Sequence, residues 1–287
     1  MIGITGISGL VGTHLKKDFI SQGIEFKSVD RSTWDLEEWK TDLELDEIFD
    51  QCHTVIHLGA STSSNEEDIR QISNSNLRSC INLFNWANKK NIHIIYISGA
   101  VVYEDVYQET ILENSLQTVK NFGGFYGFTK KIGEDILMHY KANGLKSTIL
   151  RPSSIYGLGL SKDKMIMNFI NNALDKKEIN ISNPHHRINL VNALDVARGI
   201  RLACINQIEG NFNITGFDNS IIEIAEAIYK CINDDHIKIN IESDDKKKDL
   251  RFNLNGNLAK SEFGYEPEIN IEKGISIILD EMRNYKG

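Results

Sequence analysis

Tyr126 and Lys130 form the pair of side chains with the clearest capacity for chemistry in this sequence. On a helix, side chains four residues apart emerge on the same face, one turn from each other. An ammonium group close to a phenol favours the phenolate, so we expect Lys130 to lower the pKa of Tyr126 toward a range useful at neutral pH. The spacing therefore predicts proton transfer by the phenol, assisted by the lysine.

A glycine-rich turn near the N-terminus indicates what the chain binds. Gly6, Gly9 and Gly12 follow a short apolar strand and open a helical pattern. The first N–H groups of a helix lack intrahelical partners and favour anions, and glycine lets a pyrophosphate approach the backbone. We therefore predict a dinucleotide-binding turn. Its predicted cofactor contacts are Gly6, Ile7, Ser8, Gly9, Leu10, Val11 and Gly12.

Asp30 directly follows a second predicted strand at residues 24–29. Dinucleotide-binding folds place an acid at this distance beyond the glycines, where it bonds the adenosine ribose. A carboxylate there repels the 2′-phosphate of NADP, whereas the adjacent Arg31 would attract it. The sequence thus favours NAD as cofactor and leaves NADP open.

Alternating strands and helices position these residues. The predicted strands are 2–5, 24–29, 54–58, 92–97 and 147–150, the last broken by Arg151-Pro152, and the predicted helices include 69–90 and 126–141. This alternation is typical of an α/β fold, here a Rossmann-type, doubly wound parallel sheet.

Two regions follow from this pattern. We expect residues 1–158 to form the dinucleotide-binding Rossmann core, completed by about 188–215. Residues 159–187 and 216–287 are expected to form a smaller C-terminal lobe that binds the substrate. Ligands in open α/β sheets bind beyond the carboxyl ends of the strands and need an element that covers them.

Composition narrows the class further. The chain has 287 residues, of which 41% are hydrophobic and 25% charged, as in ordinary globular proteins. A net charge of −8 argues against nucleic acid as a partner. Four cysteines without C-x-x-C spacing predict neither a disulfide framework nor a metal site. No apolar stretch reaches the ~20 residues of a membrane span and no signal peptide is evident, so we expect a cytoplasmic protein.

Taken together, the motifs resemble those of the extended short-chain dehydrogenases/reductases, the family of nucleotide-sugar epimerases, dehydratases and ketoreductases. The residues that carry the resemblance are Thr5-Gly6-x-x-Gly9-x-x-Gly12, Asp30, His57-Leu-Gly-Ala60, Asn76, Ser98-Gly-Ala-Val-Val-Tyr103, Tyr126-x-x-x-Lys130 and Arg151-Pro-x-x-Ile-Tyr-Gly157. In order and rough spacing they span nearly the whole chain. The resemblance implies NAD(P)-dependent hydride transfer on a nucleotide-diphosphate sugar.

The resemblance also implies residue roles. Tyr126 is the acid–base residue, and Lys130 tunes it and holds the nicotinamide ribose. Further cofactor contacts are implied at Asp35 and Leu36 near the adenine, and at Leu58, Gly59, Ala60 and Asn76. Arg187 and Arg251 are candidates for the substrate diphosphate because guanidinium groups suit phosphate. Either one is equally readily interpreted as a surface arginine. A homodimer through the helices that hold Tyr126 and the segment after Ile69 is implied as well.

The sequence departs from the family pattern at the end of the fourth strand. A serine or threonine usually stands four residues before the Tyr103 position, but this chain has Gly99 there and Ser98 one residue earlier. Ser98 is therefore either a catalytic and substrate-binding hydroxyl that needs a bend to reach the site, or a hydroxyl tied to backbone. Dehydratases of the family place Asp-Glu where Ala100 and Val101 stand, which disfavours dehydration.

The expected function is therefore 4-ketoreduction or C4 epimerisation of a nucleotide-activated sugar, as in polysaccharide biosynthesis. An NAD(P)-binding sensor with little catalysis, or a reductase of a non-sugar carbonyl, remain the alternatives, since fold alone does not fix the substrate.

Overall fold

The computed structural model describes residues 1–62, 68–103, 110–118, 123–243 and 251–284, with the backbone alone at residues 243 and 251. In chain order its strands are β1 (Ile2–Thr5), β2 (Phe26–Val29), β3 (Thr54–His57), β4 (His93–Ile97), β5 (Ser147–Pro152), β6 (Ser154–Tyr156), β7 (Glu178–Ser182), β8 (Arg187–Asn192), β9 (Gly210–Ile214), β10 (Phe217–Ser220), β11 (Lys238–Ser243) and β12 (Arg251–Phe252). Its α-helices are α1 (Leu10–Ser21), α2 (Asp42–Ile48), α3 (Ile69–Ser73), α4 (Ser79–Lys90), α5 (Gly124–Ala142), α6 (Met165–Lys176), α7 (Ala193–Ile205), α8 (Ile221–Ile232), α9 (Asn257–Phe263) and α10 (Ile271–Asn284).

A six-stranded parallel sheet forms the centre, in the order β2-β1-β3-β4-β5-β9. The chain passes from β1 to β2 on one side and then returns to place β3 on the other. The carboxyl end of β1 is therefore a topological switch point, where open α/β sheets bind ligands. The predicted Rossmann-type fold is confirmed.

Helices cover both faces of this sheet because successive side chains of each strand point to opposite faces. On one face, Leu15 of α1 and Ile200 of α7 pack with alternate strand residues such as Ile95. On the other face, Leu83 of α4 packs with Tyr96 of β4, and α5 contributes to the same cluster. The helix with the predicted acid–base pair thus lies on the face that Tyr96 lines.

The C-terminal part of the chain builds a second cluster of buried apolar side chains. Its strand β8 pairs with β6, β10 and β12, and β7 pairs with β11. Helices α6, α8 and α10 pack their apolar faces together with these strands. These short strands were not predicted, because the sequence there lacks the long apolar runs of a fully buried parallel sheet.

Two predicted elements differ from the structure for clear reasons. The predicted helix 69–90 is interrupted by a π-helical turn at Asn74–Arg78, where the Ser79 hydroxyl donates a hydrogen bond to the Ser75 carbonyl. The strand predicted to end at Leu150 continues through Pro152, which pairs with Ile214 of β9. Proline is tolerated at this point because the pairing of β5 with β4 ends at Leu150, so no ladder hydrogen bond to β4 needs the missing N–H. Among the described helices, none is long and apolar enough to cross a membrane.

Candidate active site

The three glycines of the N-terminal turn bring β1, α1 and the turn after β3 into close contact. Gly6 has φ +69°, and a Cβ there would lie 2.6 Å from the backbone of Gly59. A Cβ on Gly12 would lie 2.4 Å from the Gly6 carbonyl oxygen. The Gly9 N–H donates to that same oxygen at 3.1 Å. Side chains at Gly6 and Gly12 would force these segments apart, so the turn depends on glycine.

The first turn of α1 is open to an anion. Gly9 is the N-cap of this helix and no side chain caps it, so the first N–H groups and the positive end of the helix dipole are available. Ser8 is exposed at the turn, Leu10 and Val11 are half-buried, and the side chain of Ile7 is buried in the core. A pyrophosphate contact by Ile7 is thus limited to its backbone.

A cavity of about 300 Å³ adjoins the glycine turn at the switch point. The predicted contacts that line it are Gly6, Ser8, Asp30, Arg31, Asp35, Leu36, Gly59 and Ala60. Residues that sequence reasoning missed also line it, namely Trp34, Glu37, Ser61, Gln71 and Ser75. Their polar groups lie on loops and helix starts without a motif, so no sequence signal pointed to them. The cavity beside a glycine turn and an acid fits the adenosine half of NAD.

Asp30 has one carboxylate oxygen free for this role. Its Oδ1 accepts hydrogen bonds from the Ser32 N–H at 2.9 Å, the Ser32 hydroxyl at 2.6 Å and the Thr33 N–H at 3.1 Å. These bonds, the Ser32 hydroxyl foremost, lower the pKa of Asp30. Its Oδ2 accepts no hydrogen bond from the described residues. The carboxylate is therefore ionised and held in place, ready to accept from ribose hydroxyls.

Asn76, a predicted cofactor contact, is bonded to protein groups in the protein without ligands. Its Oδ1 accepts from the Ser61 N–H at 2.8 Å, and its Nδ2 donates to the Ser61 carbonyl at 3.0 Å and the Thr129 hydroxyl at 2.9 Å. The side chain is buried and these bonds use its amide. Asn76 joins the segment after β3 to α5, and so positions cavity and helix relative to each other.

Lys130 is buried beneath the site, at the end of β4. Its Nζ donates to the Ile97 carbonyl at 2.8 Å and lies 5.0 Å from the centre of the Tyr96 ring and 5.8 Å from that of Tyr126. Burial lowers the pKa of Lys130 to about 8.

The predicted lowering of the Tyr126 pKa is wrong for the protein without ligands. Burial raises the pKa of Tyr126 to about 12. The Lys130 ammonium is bonded to a carbonyl and lies against ring faces, so it does not stabilise the phenolate. Tyr126 therefore holds its proton at neutral pH and is equipped as a proton donor.

Ser98 lies on the same side of the sheet as α5. Its N–H continues the parallel ladder by donating to the Leu150 carbonyl at 2.9 Å, and it stands two residues beyond Tyr96, so strand alternation gives both side chains the same face. The hydroxyl is buried and has no hydrogen-bond partner among the described residues. Ser98 thus shares the face of Tyr96 without a bend at Gly99, and within the described ranges no backbone group bonds its hydroxyl; its contact with substrate stays a prediction.

Gly99 leaves room at the position of the missing hydroxyl. Its φ of 179° is extended backbone, and a Cβ would find its nearest neighbour, the Val101 Cγ2, at 3.5 Å. Ala100 and Val101 continue into a short 3-10 turn and carry no titratable group.

A buried ion pair anchors α5, and sequence reasoning missed it. The Arg151 Nε donates to Glu134 Oε1 at 2.9 Å and its Nη2 to Oε2 at 2.7 Å, with both side chains almost fully buried. Arg151 Nη1 also donates to the Tyr103 hydroxyl at 3.0 Å, which in turn donates to Asn213 Oδ1 at 2.6 Å. Glu134 stands four residues after Lys130, on the same helix face, which is the one signal that could have indicated it.

Arg187, one of the two predicted diphosphate contacts, is paired with carboxylates. Arg187 Nε donates to Asp218 Oδ2 at 2.6 Å, and Glu223 Oε2 lies 3.5 Å from its Nη1. These two carboxylates pair with Arg187 in the protein without ligands, and its contact with a substrate diphosphate stays a prediction. Arg251 pairs in register with Arg187 across two strands, but its side chain lies outside the described part of the chain.

Known proteins are similar to this chain in sequence. The family model of the NAD dependent epimerase/dehydratase family matches residues 2–215. An ADP-L-glycero-D-manno-heptose-6-epimerase of Alkalilimnicola ehrlichii is 29% identical over 120 residues, 36% of this chain and 38% of that protein. That of Fusobacterium nucleatum is 30% identical over 125 residues, 42% of this chain and 36% of that protein. The alignments thus span less than two fifths of these relatives.

Solved structures share the fold across the whole chain. The UDP-glucose 4-epimerase of Thermotoga maritima with UDP-glucose has a TM-score of 0.83 and 20% identity, covering 100% of this chain and 99% of that one. The dTDP-glucose 4,6-dehydratase of Bacillus anthracis with NAD has a TM-score of 0.81 and 16% identity, covering 99% and 96%. The segment that the family model matches contains the glycine turn, Ser98, Tyr126 and Lys130. The chain belongs to the NAD dependent epimerase/dehydratase family.

Proposed function

We propose that this protein transfers hydride between NAD(H) and the C4 position of a nucleotide-activated sugar, as a 4-ketoreductase or a C4 epimerase. The observation that carries the proposal is the joint position of Tyr126, Lys130 and Ser98. The Lys130 ammonium donates a hydrogen bond to the carbonyl of Ile97, the last residue of β4, and Ser98 is the next residue in the chain. Tyr126, Lys130 and Ser98 therefore lie at the carboxyl edge of the sheet. NAD, when bound, supplies or accepts the hydride.

Tyr126 donates the proton in the reductive direction. With its pKa raised to about 12 by burial, the phenol holds a proton at neutral pH and delivers it to the carbonyl oxygen of the substrate. The unpartnered Ser98 hydroxyl donates a hydrogen bond to the same oxygen as negative charge develops there. An epimerisation begins with the oxidative half, which needs the Tyr126 phenolate as base, so the phenol must lose its proton to solvent once NAD is bound; it then takes the substrate hydroxyl proton and returns it in the reductive half.

Lys130 orients the cofactor ribose. Its ammonium has three N–H donors, and the Ile97 carbonyl accepts one of them. Within the part of the chain that the structure describes, no acceptor takes the other two, and we propose that they bind the ribose hydroxyls. With a pKa of about 8, the side chain is charged at neutral pH and loses that charge in mildly basic solution.

The substrate class rests on the relatives. Two are named as epimerases of an ADP-heptose, and the epimerase of Thermotoga maritima was solved with UDP-glucose. The C-terminal lobe of residues 159–187 and 216–287 is proposed to cover the sugar nucleotide. Dehydration is disfavoured because Ala100 and Val101 cannot exchange protons, while hydride transfer at one carbon needs only the groups already described.

One assay series tests the proposal. The pure protein is mixed with NADH or NADPH and a panel of ADP-, UDP-, dTDP-, GDP- and CDP-linked 4-keto-6-deoxysugars and hexoses. We expect oxidation of NADH by a 4-keto sugar, or conversion of a sugar without net cofactor change, and loss of at least about 10²-fold in Tyr126→Phe. Tyr140→Phe, on the same helix, is the matched control and should retain activity.

An NAD-binding sensor is the second candidate, favoured by Gly99 in place of the usual hydroxyl. It predicts tight NADH binding without turnover of any sugar in the panel. Turnover of simple ketones or lactones alone would indicate a reductase of non-sugar carbonyls instead.

We also propose a homodimer through α4 and α5. Each helix exposes a large apolar side chain, Ile81 at 40% and Met138 at 44%. Light scattering should give twice the mass of the chain, and Met138→Glu should shift the protein toward monomer. A monomeric wild-type protein would contradict this assembly.

A further inference from the structure

Arg31, next to the ribose-binding acid, is held by two carboxylates. Its Nε donates to Asp35 Oδ2 at 2.9 Å, and its Nη2 donates to Glu37 Oε1 at 3.3 Å. Asp35 is itself fixed, because its Oδ1 accepts from the Glu37 N–H at 3.1 Å. The short loop after Asp30 thus folds both acids back onto Arg31.

The charge around the adenosine cavity is consequently negative. The charged side chains that line it are three carboxylates, Asp30, Asp35 and Glu37, and one guanidinium, Arg31. A 2′-phosphate carries about −1.5 to −2 charges at neutral pH and needs a bidentate cation to be bound there. Arg31 has the right chemistry and lines the cavity, but the Nε–Nη2 edge of its guanidinium, an edge that could bind a phosphate with two hydrogen bonds, is taken by the two acids.

We propose that Asp35 and Glu37 are specificity residues that keep Arg31 from binding the 2′-phosphate of NADP. Discrimination against NADP then rests on two effects. Asp30 repels the phosphate, and the Asp35–Glu37 pair removes the cation that would offset this repulsion. The inference concerns cofactor binding alone, so it holds or fails independently of the sugar and of the reaction proposed above.

The test is a set of binding titrations with NADH and NADPH, followed by the fluorescence of the reduced nicotinamide. Asp35→Asn combined with Glu37→Gln keeps the shape of the loop and releases Arg31. We expect this double variant to bind NADPH at least about tenfold more tightly than wild type, as one new charge-assisted hydrogen bond would give. NADH lacks the 2′-phosphate and should not share this gain, so the ratio of NADPH affinity to NADH affinity should rise at least about tenfold, while circular dichroism shows that the variant is folded.

Two further variants separate release of Arg31 from a general change of charge. Glu38→Gln with Asp42→Asn removes two nearby charges that pair with Lys40 and Lys89 instead, and should alter NADPH affinity by less than about threefold. Adding Arg31→Ala to the variant with Asp35→Asn and Glu37→Gln should return NADPH affinity to the wild-type value. An equal gain in the Glu38–Asp42 control, or a gain that survives Arg31→Ala, would overturn the proposal.

Discussion

Replacing Ser98 by alanine is expected to stabilise the protein without ligands while reducing its activity. The hydroxyl is 4% exposed and has no hydrogen-bond partner among the described residues. A buried polar group left unpaired costs about 1–3 kcal/mol, and alanine removes that cost. In a chain of this size 1 kcal/mol corresponds to about 2–4 °C in Tm. We therefore expect Tm to rise by at least about 2 °C.

Ser79→Ala is the matched control for stability. Ser79 is also fully buried, but its hydroxyl donates to the Ser75 carbonyl. Alanine there removes a satisfied hydrogen bond and leaves the carbonyl with one partner fewer, so Tm should fall. The two serine-to-alanine substitutions should thus shift Tm in opposite directions. Because both remove a buried hydroxyl, the difference reports whether that hydroxyl has a hydrogen-bond partner.

The activity of Ser98→Ala should change in the other direction. A donor aimed at developing negative charge contributes about 10²-fold to kcat, so we expect a loss of that order with KM little changed.

Thermal scans by circular dichroism and steady-state kinetics measure both effects on the same preparations. If Ser98→Ala lowers Tm as Ser79→Ala does, the hydroxyl has a partner in the free protein and the reasoning fails. If Tm rises but kcat stays at the wild-type value, Ser98 does not touch the reacting oxygen.

Three other predictions concern the buried ion pair of α5, the buried lysine and the glycine turn. Glu134→Ala leaves the Arg151 guanidinium buried and unpaired, so the free energy of unfolding measured in urea should fall by about 3–5 kcal/mol. Glu134→Gln should lower it less, and a loss below about 1 kcal/mol in Glu134→Ala would contradict the buried pair. Burial holds the folded-state pKa of Lys130 at about 8, against 10.5 for the free side chain. Between these two pH values the unfolded chain binds more protons than the folded chain. The free energy of unfolding should therefore rise by up to about 3 kcal/mol as pH increases through that window. This rise should be absent in Lys130→Met, while activity that needs the ammonium should decline above about pH 8. Gly12→Ala pushes the Gly6 carbonyl, 2.4 Å from the new Cβ, and should weaken NADH binding at least about tenfold in fluorescence titrations.

The part of the fold closest to the N-terminus was predictable because its signals are local. A strand, a glycine turn, a helix and a second strand ending in Asp30 follow one another within thirty residues, and each has its own sequence pattern. The Tyr126–Lys130 pair was found in the same way, from helical spacing.

The direction of the Lys130 ammonium was not predictable from that spacing. Two side chains on one helix face can still point to different partners, and here the Ile97 carbonyl and the Tyr96 ring, both from β4, attract the charge. Arg187 likewise donates to the carboxylate of Asp218, which stands 31 positions later in the chain. Such contacts depend on tertiary packing, which a single sequence does not display.

The network around Arg151 has a consequence for the order in which the protein folds. Its hydrogen bonds join Arg151 to Glu134, 17 residues earlier, and Tyr103 to Asn213, 110 residues later. Asn213 in turn donates to the carbonyl of Asn255. Contacts of such sequence separation form late, since the intervening loops must close first. On a ribosome, the helix with Tyr126 would emerge long before its anchor is complete, so the active site should be among the last parts of the chain to become rigid.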